Sequence, residues 1–399
     1  MSLFAALAPL PMDPILLAFQ DFASDQRAER VNLSVGMYYD ETGAIPVMRA
    51  VAMAEENLAR RKPSWGYLMS EGVAALRKGA AQLVFGDALL ESIGQRLVTM
   101  QTLGGTGAIR LAADVIHKLQ PDAVVAISKP GWPNHHAIFT AAGLSVTSYA
   151  YYDPQTQGVC FDAMRQSIAA LPPGAVVVLH ACCHNPTGAD LSTEQWNELA
   201  DLLFERQLTA FLDVAYAGFG DGLMEDIAPV RLFAGKGVAL FVATSFSKSF
   251  ALYGERVGVL SVLVENPQQA SDMLDMMKSL TRTLYSTPPS HGALLVSEIL
   301  GDAALRAVWR DELEAMRTRI MAIRAELLRK VSAKASVHDF RYLTKQKGLF
   351  TYSGLSSQQM DAMKQNYAVH AISDGRLCMA AINGGNMERV AEAMRSVTQ

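Results

Sequence analysis

Cysteine is scarce: the 399 residues hold four, Cys160, Cys182, Cys183 and Cys378, too few for a disulfide scaffold and without the CxxC spacing of a zinc site. A reducing cytosol fits that usage. No metal centre is expected at Cys182, Cys183 and His184, because consecutive residues on an extended chain face opposite ways. Basic charge is not in excess either: 35 Lys and Arg stand against 39 Asp and Glu, a formal net charge of -4, which argues against a nucleic-acid surface. The one basic cluster, Arg60, Arg61 and Lys62, reads as a solvated helix end. No apolar run reaches the length of a membrane span, and "MSLFAALAPLPMDP" at the start lacks the basic residue of a secretory signal. The expectation is a soluble, cytoplasmic chain. Neither a dinucleotide GxGxxG nor a P-loop is satisfied, and there is no internal repeat or low-complexity tract.

What is present is globular: half the residues are hydrophobic, 19% are charged, and the length suits two domains. Short apolar runs, "DAVVAIS" (122–128), "AVVVLHACC" (175–183), "LTAFLDVAY" (208–216) and "VALFVATS" (238–245), alternate with helical patterns. That alternation predicts a mostly parallel sheet with helices on both faces. Ser192 and Gln195 form a capping-box pattern ahead of Trp196, Leu199, Ala200 and Leu203 at helical spacing. From Asp302 to about Lys334 the pattern is one long charged helix, suited to bridging domains. Beyond it, "GLFTYSGL", "SSQQMDAMKQNY" and "GRLCMAAIN" suggest a smaller α+β unit, with which the first forty or so residues are expected to associate.

The chemistry gathers at the strand ends. Lys248 leaves the buried run 237–245 in "SFSKSFALYGERVG", flanked by Ser245 and Ser247 with Arg256 following. Open α/β sheets bind ligands beyond the carboxyl ends of their strands. Hydroxyls and a guanidinium there suit a phosphate, and a lysine beside a phosphate suits pyridoxal phosphate, which is held as a Schiff base and needs an acid for its ring nitrogen. Asp213, ending another strand three residues before Tyr216, is that acid or else an ordinary cap. Gly104, Gly105, Thr106 and Gly107 stand at a helix start, where bare amides favour anions. Asn185 precedes Pro186 in a turn, and Trp132 offers a ring face.

With "VNLSVGMYYDETGAIP", "QTLGGTG", "CCHNPTG", "FLDVAYAGFG", "SFSKSFALYGERVG", "YSTPPSHGA" and "SDGRLCMA" in order, the chain resembles the class I aspartate and aromatic-amino-acid aminotransferases, closest to the bacterial aromatic branch. The resemblance implies the α/β architecture of fold type I: a large domain with a mostly parallel seven-stranded sheet between helices, plus a smaller α+β domain. The boundaries expected are an N-terminal segment 1–45, a large cofactor-binding domain 46–310 and a small domain 311–399. It implies pyridoxal 5'-phosphate on Lys248, which would also shuttle the substrate α-proton. Asp213 would face the pyridine nitrogen, supported by His135. Tyr216 and Asn185 would bond the phenolic oxygen, and Trp132 would stack on the ring. Ser245, Ser247, Arg256, Gly105 and Thr106 would hold the phosphate. Arg376 would clamp the α-carboxylate in a pocket lined by Gly36, while Tyr67 and Arg282 would reach in from the other subunit of a homodimer. Arg282 would take a distal carboxylate. The activity implied is amino transfer from tyrosine, phenylalanine or aspartate to 2-oxoglutarate by a ping-pong cycle, with an aspartate enzyme of little aromatic activity as the alternative. Met37, Tyr39 and Ile45 favour the aromatic reading. Leu284, where the family usually has asparagine, and Gly66, where a larger residue is usual, leave the side-chain preference open.

Overall fold

Aliphatic and β-branched runs that can be buried on both faces build the centre of this protein. The structure, a computed structural model, describes Phe4 and residues 14–333 and 338–399. Its strands are β1 (Val31–Asn32), β2 (Leu97–Leu103), β3 (Val124–Lys129), β4 (Ser145–Ala150), β5 (Tyr152–Asp153), β6 (Gly158–Val159), β7 (Val176–His180), β8 (Thr209–Val214), β9 (Leu240–Ser245), β10 (Val257–Leu263), β11 (Phe350–Tyr352), β12 (Val369–His370) and β13 (Arg376–Cys378). Seven of them form one sheet in the order β2-β10-β9-β8-β7-β3-β4. Only β10 runs against its neighbours, pairing antiparallel with both β2 and β9, so the mostly parallel seven-stranded α/β sheet is present.

Every residue of β7, β9 and β10 is buried, which is why these strands read as unbroken apolar runs and not as alternating ones. The pleat still sorts them. Val177, Leu179, Ala210, Leu212 and Val214 enter one core, while Val176, Val178 and Phe211 enter the core on the opposite face. On the first face lies the helix Thr193–Glu205. Ser192 caps it in a full capping box with Gln195, and Trp196, Leu199, Ala200 and Leu203 are buried as their spacing requires.

The long helix runs Ala303–Val331, with the Asp302 carboxylate accepting from the Ala304 and Leu305 amides at 2.8 and 2.9 Å. The expected end near Lys334 lies outside the described residues. Leu305, Trp309, Leu313, Met316, Ile320, Ile323, Leu327 and Val331 recur at helical spacing and join a third core that also takes Val31, Leu33, Phe340, Phe350 and Leu377. The parallel pair β1–β12 ties residues 31–32 to 369–370. β11 and β13 are antiparallel partners, and the helix Ser357–Tyr367 carries a second full capping box.

The run 175–183 departs from expectation. β7 stops at His180, and Cys183 takes a left-handed φ of 51°. The Asp190 carboxylate accepts from the Cys183 and His184 amides at 2.7 and 2.8 Å, satisfying donors that a longer strand would have had to pair.

Candidate active site

The parallel register sets His180 of β7 beside Asp213 of β8, and β9 ends next to them at Ser245. At this carboxyl edge of the sheet lies a cavity of about 200 Å³. It is lined by Gly105, Thr106, Trp132, His180, Asn185, Asp213, Tyr216, Ser245, Ser247, Lys248, Tyr253 and Arg256, so residues from six separate stretches of sequence converge on it.

One end is a cradle for an anion. The helix Gly104–Leu119 begins directly after β2, and its first turn presses against Ser245 and Arg256. A Cβ at Gly104 would meet Arg256 Nη2 at 2.7 Å, and one at Gly105 would meet Ser245 Cβ at 3.0 Å, so this approach requires glycine. Arg256 Nη1 donates to the Tyr253 carbonyl at 3.0 Å and to Ser247 Oγ at 3.4 Å, which fixes the guanidinium beside the helix start.

Asp213 stands elsewhere in the cavity wall. His135 Nε2 lies 3.0 Å from its Oδ2, and both side chains are buried. Burial pushes the Asp213 carboxyl up, but the hydrogen bond and charge of His135, with help from His180 and Lys248, outweigh it and hold the carboxyl below its ordinary value. The Trp132 ring lies 5.1 Å from that of His135, nearly perpendicular.

Lys248 Nζ sits 4.6 Å from the centroid of the Tyr216 ring. Burial lowers the ammonium from 10.5 to about 8, with Arg256 and Arg376 adding to the fall and Asp213 opposing it. At pH 7 roughly one such amine in ten is neutral, against about one in three thousand for an ordinary lysine. That is the state in which an amine attacks an aldehyde or takes a proton from carbon. Burial likewise raises the Tyr216 phenol, so it stays protonated and able to donate.

Arg376 closes the other side. Its Nη2 donates to the Ser34 carbonyl at 2.8 Å, its Nη1 lies 3.4 Å from Asn185 Oδ1, and its guanidinium carbon is 4.3 Å from the centroid of the Phe350 ring. Gly36 borders the same ring. Two residues do not join the others within this chain. Tyr67 is fully exposed, and Arg282 is exposed with its Nη1 donating to Ser286 Oγ at 2.8 Å.

Sequence reasoning missed His180, Tyr253 and Phe350. His180 Nδ1 accepts from the Asn185 amide at 3.3 Å, Nε2 has no partner, and burial with the neighbouring His135 pushes the imidazole down to about 3. It ends β7 opposite Asp213, the last residue but one of β8, and a polar residue at the end of an apolar run was the signal available. Cys182 and Cys183, expected to face opposite ways, do converge. The left-handed Cys183 turns the chain, so both sulfurs and a carboxylate oxygen of Asp226 lie within 4.8 Å of one another. Asp226, however, is engaged by the amides of Gly218, Gly220 and Asp221, and both thiols are pushed up, Cys182 by its hydrogen bond with Cys183 and by burial, Cys183 by burial that the nearby Arg324 only partly offsets. His184 stays apart, between Thr187 and Ser128. All four cysteines are free, and among the described residues no helix is long and apolar enough to cross a membrane.

An amine that can be neutral, a buried carboxylate and an anion cradle in one cavity fit a phosphorylated aromatic aldehyde. The unpartnered His180 Nε2 and the glycine-lined approach at Gly104 and Gly105 are the further marks of a pocket shaped for a ligand with polar edges. Comparison with known proteins agrees. The family model "Aminotransferase class I and II" matches residues 28–394. An aspartate aminotransferase of Pseudomonas aeruginosa is 45% identical over the full length of both chains. An aromatic-amino-acid aminotransferase of Escherichia coli is 44% identical over 96% of this chain and 97% of its own. The crystal structure of an aromatic-amino-acid aminotransferase from Burkholderia pseudomallei, covalently bound to pyridoxal phosphate, superposes with a TM-score of 0.97 at 45% identity, covering all of both chains.

Proposed function

The chain belongs to the class I and II aminotransferases, and we infer that it is a pyridoxal-phosphate enzyme moving the amino group of tyrosine, phenylalanine or aspartate to 2-oxoglutarate. The observation that carries this reading is the single cavity in which Lys248, Asp213 and the Gly105–Ser245–Arg256 cradle meet. When bound, the cofactor supplies the electron sink that lets an amino acid α-carbon lose its proton.

This chain's residues would do the rest. Lys248 holds the cofactor covalently and, once released by substrate, its amine moves the proton at the α-carbon. Asp213, held by His135, stays ionised and keeps a pyridine nitrogen protonated. Tyr216 and Asn185 bond the phenolic oxygen, Trp132 covers the ring, and Ser245, Ser247, Arg256, Gly105 and Thr106 hold the phosphate. Arg376 takes the α-carboxylate as a two-pronged donor beside Gly36, which sets the α-carbon against Lys248. Amino donor and oxo-acid acceptor use the site in turn, as a ping-pong cycle requires.

Tyr67 and Arg282 act in the site of a second copy. Trp65 and Met69, which flank Tyr67 in the sequence, and Leu284, which follows Arg282, are exposed apolar side chains that association would bury. The free, mostly buried cysteines support a reducing cytosol. Arg282 supports acceptance of dicarboxylates, whereas Leu284 and Ile45, both exposed, supply an apolar rim for aromatic side chains.

The test is a kcat/KM panel over aspartate, tyrosine, phenylalanine and leucine with 2-oxoglutarate, together with the absorbance change of bound cofactor on adding phenylalanine alone. Stoichiometric phenylpyruvate is the expected product. Carbon dioxide release without oxo acid would overturn transamination, and activity confined to aspartate would select the aspartate enzyme of little aromatic activity.

A further inference from the structure

Arg324, on the long helix, is 3% exposed, yet all its hydrogen bonds go to main-chain carbonyls. Its Nη1 donates to Leu343 O at 2.9 Å, and its Nη2 donates to Gly348 O at 2.9 Å and to Phe350 O. A buried guanidinium facing neutral acceptors recovers only part of its desolvation cost, and apolar replacements of buried charges are often neutral or stabilising. Stability is therefore a poor reason for Arg324. What a planar fork does supply is geometry, since donors fixed in one plane hold several acceptors in one arrangement.

All three acceptors belong to the stretch 343–350 that delivers Phe350. In the β11–β13 pair Phe350 stands opposite Cys378 and Tyr352 opposite Arg376, so Phe350 and Arg376 are diagonal neighbours on one face. The Phe350 ring covers the Arg376 guanidinium at 4.3 Å and meets the Tyr216 ring edge-on at 6.0 Å. It also occupies the space beside Gly36, where an added Cβ would come within 2.4 Å of Phe350 Cζ. One ring thus touches the arginine, the tyrosine beside Lys248 and the Gly36 backbone.

We propose that Arg324 is a positioning residue for carboxylate recognition: by gathering the carbonyls of Leu343, Gly348 and Phe350 it fixes the ring that orients Arg376. This rests on reading Arg376 as the clamp for the α-carboxylate. The experiment titrates holoenzyme with two unreactive acids, 3-phenylpropionate and maleate, following cofactor absorbance. Arg324→Met should raise both dissociation constants about tenfold, the scale of a lost cation–π orientation, with cofactor affinity unchanged. Substrate KM should rise alike for amino and oxo acids while kcat falls less than about threefold. Arg324→Lys, which keeps charge and loses the fork, should not restore binding. Phe350→Leu should reproduce the loss, and the double variant Arg324→Met with Phe350→Leu should be no weaker than either single one. Unchanged dissociation constants, additive losses, rescue by lysine, or failure of both Arg324 variants to fold would each overturn the proposal. A wild-type holoenzyme that binds neither acid would instead overturn the aminotransferase reading beneath it.

Discussion

Lys248 should make the apoprotein less stable, and the cost should depend on pH in a defined direction. Burial takes its pKa from 10.5 down to about 8. The folded chain therefore gives up this proton near pH 8, whereas the unfolded chain keeps it to about 10.5. Below pH 8 both states are charged and the folded state bears the whole desolvation penalty. Between pH 8 and 10.5 the unfolded state binds more protons, so stability rises with pH until the penalty is gone. The full interval corresponds to roughly 3 kcal/mol, and the solvent that reaches the open cavity screens part of it, leaving on the order of 1–3 kcal/mol. Lys248→Met keeps the length of the side chain and removes the charge. Urea unfolding of the two apoproteins at pH 7 should show the variant more stable by about 1–3 kcal/mol, with the gap closing to under about 0.5 kcal/mol near pH 10.5. Comparing the two proteins at each pH cancels the titration of every other group. A gap that is the same at both pH values, or a variant less stable at pH 7, would refute the burial argument for Lys248. The variant should also fold and show no turnover, since the amine supplies chemistry and not packing.

Two substitutions separate the ends of the substrate. Arg376→Lys should lower kcat/KM about a hundredfold for aspartate and phenylalanine alike, because an ammonium cannot reproduce two parallel hydrogen bonds, and steady-state kinetics with both donors checks it. Arg282→Ala should lower kcat/KM for aspartate about a hundredfold and for phenylalanine less than about threefold, and equal losses would remove Arg282 from distal carboxylate recognition.

Much of this site could be read before any coordinates, because the same physical rule produced the fold signal and the functional one. Strands buried on both faces must be apolar, so a polar residue where such a run ends, as at Asp213 or beyond Ser245, stands out against it. The capping box at Ser192 and Gln195 and the long helix after Asp302 were legible for a similar reason: each depends on residues within one or two turns. Pairing was not legible. β2 and β10 lie some 160 residues apart, and Thr99 Oγ1 meets Ser261 Oγ across them at 2.9 Å, but no local periodicity states which strand a run will choose. The turn at Cys183 was misjudged because its cause, the Asp190 carboxylate, lies seven residues ahead.

Size is no better guide to function than periodicity. A second cavity, about 430 Å³, is lined by Thr209, Leu240, Phe241, Val262 and Met273 among others. Thr209 and Leu240 begin β8 and β9, so it lies at the opposite edge of the sheet from Lys248. It is more than twice as large as the site, yet it brings no nucleophile and no buried carboxylate together. Convergence of unlike groups marks the smaller one. The same reasoning explains why Phe350 and Arg324 were invisible in the sequence. "GLFTYSGL" is an unremarkable strand and Arg324 an unremarkable helical arginine; each acquires meaning only through partners 19 or more residues away, Arg376 for the ring and the 343–350 carbonyls together for the guanidinium. Residues that act on substrate directly must differ chemically from the core around them, and so betray themselves. Residues that hold those in place need only fit, and their role becomes visible when the distances are known.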